Sequence, residues 1–223
     1  MKKKVFIFLL LGIVALTAQA EALTIDLFNT GVDENGTPLS GGNTDPHWSV
    51  LMTDESGNTI ESPAVVINSP NKNYYTSGLS SWVWINALGR TGSIDVSLTF
   101  RLEFDLTGLD PETAIISGSW GVDNYGDILL NGENPTGTGV FSLQGNDGAN
   151  FNPFSDFTIT GGFISGINTL EFVATDPNGQ LGALNVTGLS GTADAAPVPE
   201  PGTMLLLGSG LVGLAGWRRK SKK

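Results

Sequence analysis

Residues 93–106 read SIDVSLTFRLEFDL, and every second position is apolar. Ile94, Val96, Leu98, Phe100, Leu102, Phe104 and Leu106 fall on one side; Asp95, Ser97, Thr99, Arg101, Glu103 and Asp105 fall on the other. A period of two belongs to a strand, so the stretch predicts a long strand with one dry face and one wet face. Shorter apolar runs predict further strands at 23–28, 62–67, 82–87, 115–122, 127–130, 154–159, 169–174 and 184–187. Turn signals such as Asp33-Glu34-Asn35-Gly36, Asn131-Gly132 and Asp176-Pro177-Asn178-Gly179 separate them. No segment of the body keeps a helical period for three turns.

Short strands punctuated by turns predict an all-β fold, a single two-sheet β-sandwich of jelly-roll type, as one domain over 21–187. Residues 188–198, GLSGTADAAPV, are small and polar and read as a linker. Ala196, Val198 and Glu200 each precede a proline, which pushes each toward extended geometry. A rigid, extended segment there suits a processing enzyme's cleft.

The ends carry their own pattern. Three lysines, an apolar run from Val5 to Leu16 and the small-x-small sequence Ala18-Gln19-Ala20 predict a signal peptide over 1–20, with Glu21 as the mature N-terminus. Export changes the meaning of the charge. Between residues 21 and 198 only Lys72, Arg90 and Arg101 are basic, against 21 acidic residues. Such a surface repels phosphate backbones and excludes nucleic acid as a partner. Cysteine is absent, so the fold must be held by its core, and thiolate metal or catalytic sites are excluded.

At the other end stands Pro199-Glu200-Pro201, then an apolar stretch over 203–217, then a basic end beginning Arg218, Arg219, Lys220. As a helix the apolar part spans about 22 Å, short of a hydrocarbon core of about 30 Å. It reads as a short transmembrane helix and a transient inner-membrane anchor, with the basic residues stopping on the cytoplasmic side. These three parts in this order, residues 199–223, resemble the PEP-CTERM sorting signal of Gram-negative bacteria. The resemblance implies an exosortase as partner, cleavage near the motif, and delivery to the cell surface or extracellular matrix. It also implies an association with exopolysaccharide, whose biosynthesis typically accompanies the enzyme. Within the tail, Gly208-Ser209-Gly210-Leu211-Val212-Gly213 matches a dinucleotide fingerprint in letters only, because no strand precedes it; the glycines read as helix-contact residues in lipid.

The body offers several groups for chemistry. His47 is the sole histidine, too little for zinc or an evident triad. Glu103 and Asp105 share a strand face beside Arg101, which reads as a solvated row with cross-strand pairing before it reads as a glycosidase pair. Trp82 and Trp84 share a face of their strand. They are carbohydrate-binding candidates if that face is open, and core residues if it is closed; the frequency of aromatics in sandwich cores favours the second. Asp123, Asn124 and Asp127 offer hard oxygen ligands on a turn, a calcium candidate set against a metal-free Asx-rich turn; no other cofactor is expected. Asp45-Pro46-His47-Trp48, Ser81-Trp82-Val83-Trp84-Ile85 and Trp120-Gly121-Val122-Asp123-Asn124, with FTITGGFISGINTLEFVATD further on, are similar to a domain found ahead of PEP-CTERM tails that resembles galactose-binding-like jelly rolls. That resemblance implies a carbohydrate-binding shape. The expected function is therefore a non-catalytic exopolysaccharide-binding module, with a carbohydrate-active hydrolase or a purely structural matrix component as alternatives.

Overall fold

The computed structural model describes residues 22–53, 57–92, 96–197 and 203–220. The expected signal peptide over 1–20, the expected mature terminus Glu21, the motif Pro199, Glu200 and Pro201, and the last three residues lie outside them. The body is built of β1 (Ala22–Thr24), β2 (Thr44–Thr53), β3 (Thr59–Val66), β4 (Val83–Trp84), β5 (Val96–Asp105), β6 (Ile115–Asp123), β7 (Tyr125–Leu130), β8 (Thr136–Gly139), β9 (Ser142–Leu143), β10 (Ser155–Gly161), β11 (Ile167–Asp176) and β12 (Ala183–Asp194).

All pairings are antiparallel, and the order β8-β10-β6-β12-β4-β3-β2-β5-β11-β7-β9, with β1 beside β12, is one unbroken sheet. The expectation of two separate sheets is corrected here: one sheet curls over on itself. The reason lies at the corners. The two-residue β4 pairs with β12 through Val83 and with β3 through Val83 and Trp84, so it joins the two layers. At the opposite side Val140 donates its N–H to Asp156 O (2.9 Å), while the next residue, Phe141, accepts from Ile128 N–H (2.8 Å). The chain thus leaves the β10 edge and reaches the β7 edge within one residue, and the sheet is left with little free edge.

The alternation in β5 appears as expected. Leu98, Phe100, Leu102, Phe104 and the following Leu106 are buried, while Glu103 and Asp105 are exposed. Phe172 of β11 meets Trp120 of β6 edge-on at 5.4 Å and Phe157 of β10 at 5.9 Å, so aromatic side chains from both layers fill the space between them. Each fully buried side chain of this size contributes roughly 1.5–3 kcal/mol through the area it removes from water. On the wet face, Arg101 pairs with Glu171 of β11 at 3.0 Å, the cross-strand ion pair expected of that row.

Two boundaries differ from expectation. Residues 188–194, expected as linker, form the second half of β12. Pairing with β6 shifts register between Thr187 and Ser190, and the strand then pairs with β1. Gly191 is small for packing: a Cβ there would lie 2.9 Å from Leu27 Cδ1. The tail does form a helix, α1 (Thr203–Lys220), three residues longer than the apolar stretch because it runs through Arg218, Arg219 and Lys220. Among the described residues no helix is long and apolar enough to cross a membrane, which corrects the expected transmembrane span at 203–217.

Candidate ligand-binding site

Strands β6 and β12 have an outer face as well as a core face. Their register pairs Val122 with Leu184 and Trp120 with Val186 on the core side, and Asp123 with Ala183, Gly121 with Asn185 and Ser119 with Thr187 on the other. A sheet face carrying Asp123, Asn185 and Thr187 is too polar to be covered by an apolar layer. It is covered by the 68–82 loop, SPNKNYYTSGLSSW after Asn68, which brings a hydroxyl to each polar side chain. Tyr74 Oη donates to Asp123 Oδ2 (2.5 Å), Ser80 Oγ donates to Asn185 Oδ1 (2.7 Å), and Ser77 Oγ shares a hydrogen bond with Thr187 Oγ1 (2.6 Å).

An aromatic cluster locks the loop beside these bonds. Tyr74 packs against Trp82 (4.4 Å between centroids) and Phe151 (4.9 Å), and Phe154 against Trp82 (5.5 Å) and Tyr75 (4.9 Å). Gly121 makes room for Phe154: a Cβ on it would stand 2.6 Å from that ring. Burial of Trp82 (5 % exposed) and Trp84 (0 %) removes both from the carbohydrate platform considered from the sequence. Trp82 sits under the loop and donates its indole N–H to Tyr75 O at 2.9 Å. Trp84 lies in the main core against Phe100 and the bare backbone of Gly182. β4 is a corner strand enclosed on both sides, so alternation along it does not separate an inner from an outer face.

Within this cluster the exposed aromatic is Tyr75, at 46 %. It lines an open groove of about 310 Å³ with Leu79, Phe154, Ser119, Asp156 and Thr187, where Ser119 Oγ donates to Asp156 Oδ1 at 2.5 Å. Sequence reasoning passed over Tyr75 because the loop shows no strand period; two tyrosines in a row among Asn, Ser and Gly were the available signal. On the other side of the same loop a cleft of about 360 Å³ is lined by Asn68, Asn71, Lys72, Thr76, Ser81 and the buried Trp82, among others.

Of the calcium candidates, Asp123 and Asn124 adjoin, Asn124 Nδ2 donating to Asp123 Oδ1 at 2.6 Å. Asp127 stands on the face of β7 opposite the buried Gly126 and Ile128, and accepts from Gln144 Nε2 at 3.0 Å. Asp123 and Asp127 thus bond to different partners, and among the described residues no group of three or more His, Asp or Glu is placed to hold a metal ion. Burial pushes the Asp123 carboxyl up to about 6, with Asp176 adding to the rise and the Tyr74 hydroxyl opposing it. Burial, and then the same two carboxylates, push the Tyr74 phenol upward, so it remains a hydroxyl donor.

His47 stacks on Phe28 at 3.5 Å, with Nε2 3.2 Å from Asp33 O. It lines a further cleft of about 340 Å³ with Asp26, Glu103 and Asp105. Hydrogen bonds from Thr107 hold the Asp105 carboxyl below the usual range. Asp45 is buried and accepts the N–H groups of Gly31, His47 and Trp48, a turn-fixing role. Of the tail candidates, Arg218, Arg219 and Lys220 occupy the last turn of α1.

Two solved structures are similar in outline. One is the apo form of a cyclase from Fischerella sp., 13% identical, with a TM-score of 0.41, covering 79% of this chain and 98% of that one. The other is the Stig cyclase Fisc from Fischerella sp. TAU in complex with (3Z)-3-(1-methyl-2-pyrrolidinylidene)-3H-indole, also 13% identical, with a TM-score of 0.43, covering 79% of this chain and 100% of that one. No curated protein matches the chain. The family model of the PEP-CTERM protein-sorting motif matches residues 197–220, the same proline-flanked glutamate, helix and basic end that the sequence set apart. The chain is thus an exported protein that carries a PEP-CTERM sorting motif and is processed by an exosortase.

Proposed function

We propose that the body is a non-catalytic binding module for exopolysaccharide. We further propose that the tail holds the precursor in the inner membrane until processing releases it to the cell surface or extracellular matrix. The observation that carries the reading is Tyr75: a ring nearly half exposed, held at its edge by Phe154, in an open groove with the hydroxyls of Ser119 and Thr187 and the carboxylate of Asp156. A sugar ring has an apolar C–H face and a polar rim, and this groove presents an aromatic face with donors and acceptors beside it.

The hydrolase alternative needs a carboxylic acid that is both protonated near neutral pH and open to substrate. The carboxyls that burial raises, Asp123 and Asp45, are both closed off, Asp123 beneath Tyr74 and Asp45 by the three N–H groups it accepts, and Asp105, in an open cleft, is held low. That division supports binding over hydrolysis. A purely structural component would have no ligand for the groove. The test is Tyr75→Ala on the full chain, with affinity for exopolysaccharide from the producing cell and melting temperature measured together. We expect about tenfold weaker binding, the equivalent of about 1.4 kcal/mol, at an unchanged melting temperature. Unchanged affinity, or no binding by the wild type, overturns the reading.

A further inference from the structure

The clefts of the body differ in charge. The Tyr75 groove contains Asp156, the cleft beside His47 contains Asp26, Glu103 and Asp105, and its neighbour contains Asp45 and Glu61. The cleft lined by residues 39–41, the end of β3 and the 68–82 loop contains no carboxylate at all, and it contains Lys72. In a body with 21 acidic residues and three basic ones, that placement is distinctive. Of those three cations, Arg101 is taken by Glu171. Lys72 is exposed and makes no ion pair among the described residues, so its ammonium is available at the cleft.

The rest of the lining is suited to a sugar. Asn68 and Asn71 bring amides, Thr76, Ser80 and Ser81 bring hydroxyls, and Tyr74 and Trp82 bring aromatic edges. These groups are fixed from behind. Ser80 is bonded to Asn185, Ser81 donates to Leu39 O (3.0 Å), Tyr74 is bonded to Asp123, and Asn71 Oδ1 caps its own turn by accepting from Asn73 N–H (3.0 Å). A lining whose rotamers are already set loses little entropy on binding.

We propose that this cleft binds an acidic sugar unit, one bearing a carboxylate such as a uronate, with Lys72 pairing the carboxylate and the amides and hydroxyls holding the ring. The inference rests on the polysaccharide reading and adds the class of sugar. It places a second subsite across the loop from Tyr75. The surrounding acidity sharpens the choice. At physiological salt the Debye length is about 8 Å, so a short acidic oligosaccharide in the cleft feels Lys72 more than distant carboxylates, while the acidic clefts repel it.

The experiment is calorimetric titration of the full chain with oligogalacturonate and with neutral oligogalactose of the same length, at two salt concentrations, for wild type, Lys72→Gln and Tyr75→Ala. We expect the wild type to prefer the uronate. Lys72→Gln is expected to lose about fivefold in uronate affinity, with most of its salt dependence, and to keep its affinity for the neutral sugar. Equal wild-type affinities for both sugars, or a uronate affinity untouched by Lys72→Gln, overturn the acidic-sugar site and leave the Tyr75 reading standing. A uronate preference that needs Lys72 but survives Tyr75→Ala unchanged upholds the site and overturns the Tyr75 platform. Absence of binding to either sugar overturns both.

Discussion

Asp123 is an acid stored where water does not reach it. Its carboxyl is raised to about 6, first by burial and then by the neighbouring charge of Asp176, so the folded protein holds a proton there that the unfolded chain has released. An unfolded aspartate titrates near about 3.9. Stability from this group is therefore fully present below that value and is lost as pH rises through about 6. Denaturant unfolding at about pH 4.5 and about pH 7 measures the loss, and Asp123→Asn, which keeps an acceptor for the Tyr74 hydroxyl, is expected to flatten the difference. The buried tryptophans belong to the same scale. Trp84→Ala is expected to cost about 3–5 kcal/mol, because Phe100 and the Gly182 backbone cannot close on the space it leaves. Trp82→Ala opens the aromatic cluster under the loop and is expected to lower melting temperature as well. Neither indole reaches solvent enough to stack on a sugar, whereas Tyr75 does, and the contrast between a stability loss at Trp82 and a binding loss at Tyr75 separates core from platform.

Among the elements, the 68–82 loop walls both grooves, and three hydroxyls and an aromatic cluster decide where the loop lies. Tyr74→Phe keeps the ring contacts with Trp82 and Phe151 and removes the donor to Asp123, leaving a buried carboxyl with one partner fewer. It is expected to cost about 1–3 kcal/mol and to weaken ligand binding at both grooves, because the loop forms a wall of each. Urea unfolding and calorimetry read the two effects, and an unchanged stability would show that the bond does not hold the loop. The strands were legible to different degrees for physical reasons. β5 has one buried and one wet face, so its period of two is plain. β2 does not show as a strand in the sequence: Asp45 and Pro46 interrupt its pattern, and only Trp48, Val50 and Met52 alternate. β4 is enclosed on both faces, so alternation there cannot tell core from surface; it is the frequency of aromatics in sandwich cores that favours the buried reading of Trp82 and Trp84, and both are buried. The end of β12 reads as linker because glycine, serine and alanine look like loop, yet small side chains are what close packing against Leu27 requires. The candidate site was barely legible, since Tyr75 and Phe154 come from separate loops that meet only over the sheet face, and Lys72 lines a cleft on the other side of the same loop.

For the whole molecule, the acidic body and the basic tail are separate instructions on one chain. The body's few cations leave it little attraction for anionic lipid, so nothing in its charge holds it to a membrane. The tail's helix, at 18 residues about 27 Å long, includes three basic residues in its last turn. Among the described residues it is not long and apolar enough to cross a membrane, so the proposed hold of the tail on the membrane is a weak one, which suits a precursor that is to be released. Val198 and Glu200 each precede a proline, which biases both away from helix and toward the extended geometry expected of a processing site. Replacing Pro199, Glu200 and Pro201 together with alanine removes that bias, because alanine is the best helix former and would let α1 extend toward the body. The substituted precursor is expected to accumulate in the inner membrane uncut, seen as a larger species in membrane fractions by immunoblot, while the wild-type body reaches the surface fraction with Glu21 at its N-terminus by mass spectrometry. Equal surface release of the substituted protein, or release in cells lacking exosortase, would show that the proline-flanked glutamate is not what the enzyme reads.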